Sequence, residues 1–115
     1  MEKSIREIIR EFSNEILKGD LAPVRASEIL TELSALYGNV LDCIKDADVA
    51  YNVVLLKYYE EEKTANRARI KAEITKEYSD KQDARNTEKI MLEMTRNLKY
   101  FLTAREEAYR AGKNF

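Results

Sequence analysis

The chain contains no histidine and no tryptophan. It has one cysteine, one proline and three glycines in 115 residues. The missing histidine excludes every His-based general base, every Ser/His/Asp triad and every mixed His/Cys metal site. With so few glycines there is no Gly-rich phosphate loop either. Nothing points to a carboxylate-only metal site, so no catalytic residue, metal or cofactor is expected and the chain reads as a non-enzyme. Cys43 cannot form an internal disulfide, and its place in an apolar stretch predicts a small core or near-core residue. No apolar run approaches the ~18 residues a membrane span needs. The opening Met-Glu-Lys-Ser-Ile-Arg lacks a signal-peptide apolar region. A cytoplasmic protein is expected, in the host cytoplasm if the chain is phage-encoded.

What the chain does have is charge and helical periodicity. Charged residues make up 36% and hydrophobic residues 44%, the profile of a helical or coiled-coil protein. From Leu30 onward, seam positions fall alternately three and four residues apart: Leu30, Leu33, Tyr37, Val40, Ile44, Ala47, Tyr51, Val54, Tyr58, Glu61, Ala65, Ala68 and Ala72. Only Glu61 is not apolar. Either the seam reaches solvent there, or Glu61 sets register by pairing with an arginine across an interface. A seam this long predicts one helix over about residues 26–74, packed along its length in coiled-coil fashion. Such a helix would span roughly 70 Å, so half of it must bury itself against something else. Gly38 costs about 1 kcal/mol relative to Ala in that helix. It marks either a kink or a close helix crossing.

Two shorter helices flank the long one. Ser4 and Glu7 match a capping box for a helix over about 4–18. Its stripe is Ile5, Ile8, Ile9, Phe12 and Ile16, and Gly19 is placed to end it. The polar stretch 76–86, with Ser79, Asp80, Asp83 and Asn86, reads as a turn. A last helix over about 86–111 carries Met91, Met94, Leu98, Phe101, Arg105 and Ala108 at heptad spacing, and Gly112 follows it. It is expected to fold back along the second half of the long helix, with its Met pair opposite the Ala-rich seam. The expected fold class is all-α: an elongated, single-domain, three-helix protein over residues 1–115, with a long central coiled-coil helix and a C-terminal antiparallel helical hairpin. Leu30, Leu33, Tyr37, Val40 and Ile44 are the expected oligomerisation residues of a homo-oligomer, because their stripe is wider than one neighbour needs.

Charge is uneven. Residues 1–62 hold 7 Lys/Arg and 13 Asp/Glu, a net −6, whereas residues 63–115 hold 13 and 8, a net +5. The switch falls between Glu60-Glu61-Glu62 and Lys63, Arg67, Arg69 and Lys71. Lys63, Arg67 and Lys71 are spaced to share one helical face. With Lys76, Lys81, Arg85 and Lys89 they form the candidate nucleic-acid-binding set. Tyr58, Tyr59 and Tyr78 lie near enough to offer stacking rings. The competing reading is a solvated face, neutralised by nearby glutamates or by the acidic half of a neighbouring subunit.

Residues 50–112 combine a Tyr- and Lys-rich helix with the segment Thr64-Ala65-Asn66-Arg67-Ala68-Arg69-Ile70-Lys71-Ala72-Glu73. A polar turn and an amphipathic helix closing with Ala111-Gly112-Lys113 follow. This order resembles small phage-encoded helical accessory proteins, especially recombination mediators that load a strand-exchange recombinase onto single-stranded DNA. The resemblance implies a helical homo-oligomer, single-stranded DNA binding in recombination or replication, and contact with a recombinase or helicase. The alternative is a structural or assembly protein, or a sequestering inhibitor of a host protein, that works by helix-mediated contacts without nucleic acid.

Overall fold

In a computed structural model, residues 3–113 are described. Among them are four α-helices and no strand: α1 (Ile5–Leu17), α2 (Pro23–Glu61), α3 (Ala65–Ala72) and α4 (Lys76–Lys113). The all-α class holds. The count of three helices does not, and two boundaries move. The expected helix over 26–74 ends at Glu61, and the expected turn over 76–86 is the first part of α4. The contacts divide into two compact units. One runs up to Gly38 and resumes at Lys89; the other is Asn39–Glu88.

In the first unit, local chemistry sets the helix ends. The Ser4 hydroxyl accepts the Glu7 N–H at 3.2 Å, closing the start of α1. Gly19 then takes φ 87, the left-handed conformation that costs other residues most, and its N–H reaches the Ile16 carbonyl at 3.2 Å. Pro23 opens α2, where a missing N–H costs nothing. The core gathers Ile9 and Phe12 of α1, Ala26, Ile29 and Leu33 of α2, and Met91, Met94 and Leu98 of α4, all buried. Burying one such aliphatic side chain stabilises by about 1.5–3 kcal/mol, so this cluster is what holds the three segments together. The Arg25 guanidinium joins α1 to α2 through Glu15 at 2.7 Å and lies 5.8 Å from the Phe12 ring centre.

The Met pair is not opposite the Ala-rich seam. Met91 lines a groove with Leu33 and Tyr37, and Met94 lines another with Ser13, Ile16 and Leu17. Because α2 stops at Glu61, the chain turns back earlier than the seam suggested. The end of α4 therefore meets the beginning of α2.

In the second unit, α2 ends on Glu60 and Glu61, and Glu62 follows. Acid at a helix C-terminus opposes the macrodipole, and Thr64 offers a new cap. Its hydroxyl accepts the Arg67 N–H at 3.2 Å, starting α3. Thr75 does the same for α4: its hydroxyl donates to the Ala72 carbonyl at 2.6 Å and accepts the Tyr78 N–H at 3.3 Å. Ala68 and Ala72 are fully buried, so α3 sits close to its neighbours. The α2–α4 pairing is antiparallel. Asp48 meets Arg85 at 2.7 Å, and the buried Tyr51 ring lies 5.4 Å from that of Tyr78.

Most of the seam is satisfied within one chain, but Ala65 is exposed. Leu33, Val40, Tyr51, Ala68 and Ala72 are buried, and Leu30, Tyr37, Ile44, Ala47, Val54 and Tyr58 are half-buried. Glu61 is exposed at the last residue of α2. In each unit a part of α4 packs against α2. Cys43 departs from expectation: it is exposed, one step off the seam between Val40 and Ile44. Gly38 marks no close crossing, since a Cβ built there would meet nothing within 4 Å. Gly112 does not follow the last helix; it lies in the final turn of α4.

Candidate functional site

The candidate basic residues fall mostly in the second unit, in the connection between α2 and α3, on α3 and on the first part of α4. Lys63 precedes the cap residue Thr64, so it is not on the helix that carries Arg67 and Lys71. Only Arg67 and Lys71 keep the expected shared face. Lys63, Arg67, Arg69, Lys71, Lys76 and Arg85 are exposed, and Lys81 is half-buried. Lys89 is exposed but belongs to the other unit.

Five of the eight side chains already have partners. Arg69 donates to the Asn66 side-chain oxygen at 2.9 Å and lies 3.9 Å from Glu73. Lys71 pairs with Glu62, and that hydrogen bond, aided by the nearby carboxylates, raises the Lys71 pKa. Lys76 approaches Asp80 at 4.0 Å. The Lys81 ammonium stands 4.5 Å from the Tyr51 ring centre, a cation–π contact. Arg85 holds Asp48. Among the described residues, Lys63, Arg67 and Lys89 have no ion-pair partner.

The pairs differ in how firmly they hold their cations. Lys71 is tied to Glu62, whose side chain is only 14% exposed, whereas Arg69 and Lys76 pair at the surface, where such bonds contribute about 0–1 kcal/mol. Those two are available for exchange onto another anion. Arg85 and Lys81 are committed inward. The Asp48 side chain is only 29% exposed, and its Oδ1 is buried without a hydrogen-bond partner among the described residues. Arg85 is thus the hydrogen-bonded counter-charge of a partly desolvated carboxylate. Lys81 covers the buried Tyr51 ring. Burial first, then the Glu73 carboxylate, raises the Tyr51 pKa.

The aromatic candidates separate in the same way. Tyr78 is half-buried against Tyr51 and accepts a hydrogen bond from Gln82 at 2.7 Å. Tyr58 is half-buried in the seam. Tyr59, at 46%, is the one of the three that is exposed. The five expected oligomerisation residues also turn inward. Leu33 and Val40 are each 1% exposed, and Leu30, Tyr37 and Ile44 are half-buried, all within one chain.

Sequence reasoning missed the Asp48–Arg85 and Tyr51–Tyr78–Lys81 contacts. They require residues 76–88 to be helical, and that stretch shows no apolar period. Among the described residues, no three Asp, Glu or Cys side chains converge where a metal ion could be held. No described helix is long and apolar enough to cross a membrane. No protein-family model, no curated protein and no solved structure matches the chain.

Proposed function

We propose that this protein is a non-enzymatic helical accessory protein whose ligand is single-stranded nucleic acid, held on the basic face of the second unit. The observation that carries the reading is the pair Lys63 and Arg67, exposed on either side of the Thr64 cap with no ion-pair partner among the described residues. Arg69 and Lys76 support it, because their surface pairs are weak enough to be exchanged for phosphates. The exposed Tyr59 ring supplies a stacking platform. In this reading Lys81 and Arg85 are structural, and Lys89 is a separate contact. The resemblance of residues 50–112 to phage recombination mediators supports a role beside a recombinase or helicase, as a homo-oligomer in the host cytoplasm.

Fluorescence anisotropy of a labelled single strand tests this. Binding should be micromolar or tighter at low salt and should weaken steeply toward physiological salt, as counterion release requires. Lys63→Glu combined with Arg67→Glu should abolish it. Binding that survives the double charge reversal, or no binding at low salt, overturns the reading.

A second reading, an adaptor or sequestering protein acting by helix contacts alone, is favoured by a different observation. Val49, Val53 and Leu56 of α2 are more than half exposed. Large apolar side chains grouped on one face commonly mark protein interaction sites.

A further inference from the structure

The second half of α2 is apolar on two opposite faces. Ala47, Tyr51, Val54 and Tyr58 face the interior of the second unit. Val49, Val53 and Leu56 follow at spacings of four and three on the other side, with exposures of 55%, 64% and 59%. Charges frame this outer stripe: Lys45, Asp46, Lys57 and Glu60 are all exposed. Among the described residues none of the four has an ion-pair partner, whereas Glu62, Arg69, Lys71 and Glu73 around α3 are paired.

We propose that this outer stripe of α2 pairs with the same stripe of a second copy, antiparallel, about a two-fold axis beside Asn52. The proposal rests on the expected self-association and moves it from the inward seam to the outer face. Charge complementarity selects the occupant. A two-fold axis perpendicular to two helices turns the same edge of each toward the other. Residues then meet when they lie equally far on opposite sides of the axis. Asp46 and Lys57 are eleven residues apart, about three helical turns, so they share one edge. They also lie at equal distances on either side of the axis, so Asp46 of each copy meets Lys57 of the other, twice by symmetry. On the opposite edge Lys45 comes beside Tyr59 of the second copy, with Glu60, in line with the stripe, next to it. Val49 meets Val53 and Leu56 between these edges. The exposed apolar groups are covered, and the unpaired charges find partners of opposite sign.

Sedimentation velocity over a range of protein concentrations, without nucleic acid, tests this. The wild type should dimerise, and Val53→Glu should weaken dimerisation at least about tenfold. Asp46→Lys and Lys57→Asp should each weaken it several-fold by setting like charges together. The double variant Asp46→Lys/Lys57→Asp should restore it. All these sites are exposed, so unchanged helical circular dichroism checks the fold of each variant. A wild type that stays monomeric overturns both self-association and this surface. A dimer indifferent to Val53→Glu keeps self-association and overturns this surface. A double variant no tighter than the single ones overturns the antiparallel pairing.

Discussion

Replacing Gly38 with alanine should make the protein more stable. Gly38 lies inside α2, away from both ends of the helix, and its φ is not positive. A methyl group added there would meet no atom within 4 Å. The substitution therefore carries no steric cost. Its gain is the helix-propensity difference between Gly and Ala, about 1 kcal/mol, which arises from the freedom glycine has in the unfolded chain. Unfolding entropy of about 2.1 cal/mol/K per residue over 115 residues gives roughly 0.24 kcal/mol/K. One kcal/mol should then raise Tm by about 4 °C. Thermal unfolding followed by circular dichroism at 222 nm measures the shift directly. A Tm that is unchanged or lower would refute the reasoning. It would mean that another segment packs against this turn of α2, or that the helix bends there and needs glycine to do so.

Three further outcomes follow from the second unit. Thr75→Ala removes the cap shared by the end of α3 and the start of α4 and should destabilise by about 1 kcal/mol, whereas Thr75→Ser should be nearly neutral; urea unfolding compares them. Arg85→Met leaves the half-buried Asp48 carboxylate without its counter-charge and should cost about 1–3 kcal/mol in the same assay. The double variant with Asp48→Asn should recover part of that loss. Tyr51 ionises above its ordinary range, so its contribution to stability is complete below pH ~10 and is lost as pH rises through the folded-state value. In a spectrophotometric titration one tyrosine should ionise later than the rest, and Tyr51→Phe should remove that late phase.

The parts of the fold visible in the sequence are those where one local signal sufficed. Ser4, Glu7 and Gly19 bracket α1 through caps and a left-handed turn, and α1 lies where they put it. The apolar seam from Leu30 to Tyr58 also faces inward as its spacing implies. What could not be seen depends on partners distant in the chain. The first part of α4 turns Tyr78, Lys81 and Ala84 partly inward and covers Tyr51 with an aromatic ring and a lysine. A lysine over a ring leaves no apolar period to read, so a helix looked like a turn. The break after Glu61 was hidden for the opposite reason. Heptad spacing runs through it from Tyr58 to Ala72, although the backbone bends at Glu62-Lys63-Thr64. The basic residues were visible as a group, but which of them face an acid depended on where α2 stopped. Lys71 reaches Glu62 only because the chain turns between them.

The two units differ in how they are threaded. The second is one continuous stretch, Asn39–Glu88, whereas the first needs the chain up to Gly38 together with the chain from Lys89 onward. A nascent chain can therefore complete the second unit before Met91, Met94 and Leu98 have been made. Until those residues arrive, Ile29 and Leu33 have lost their main apolar cover, and α1 has only the start of α2 to rest on. The second unit, continuous in the chain, is the one suited to form early. The first cannot be completed until the chain from Lys89 onward has been made.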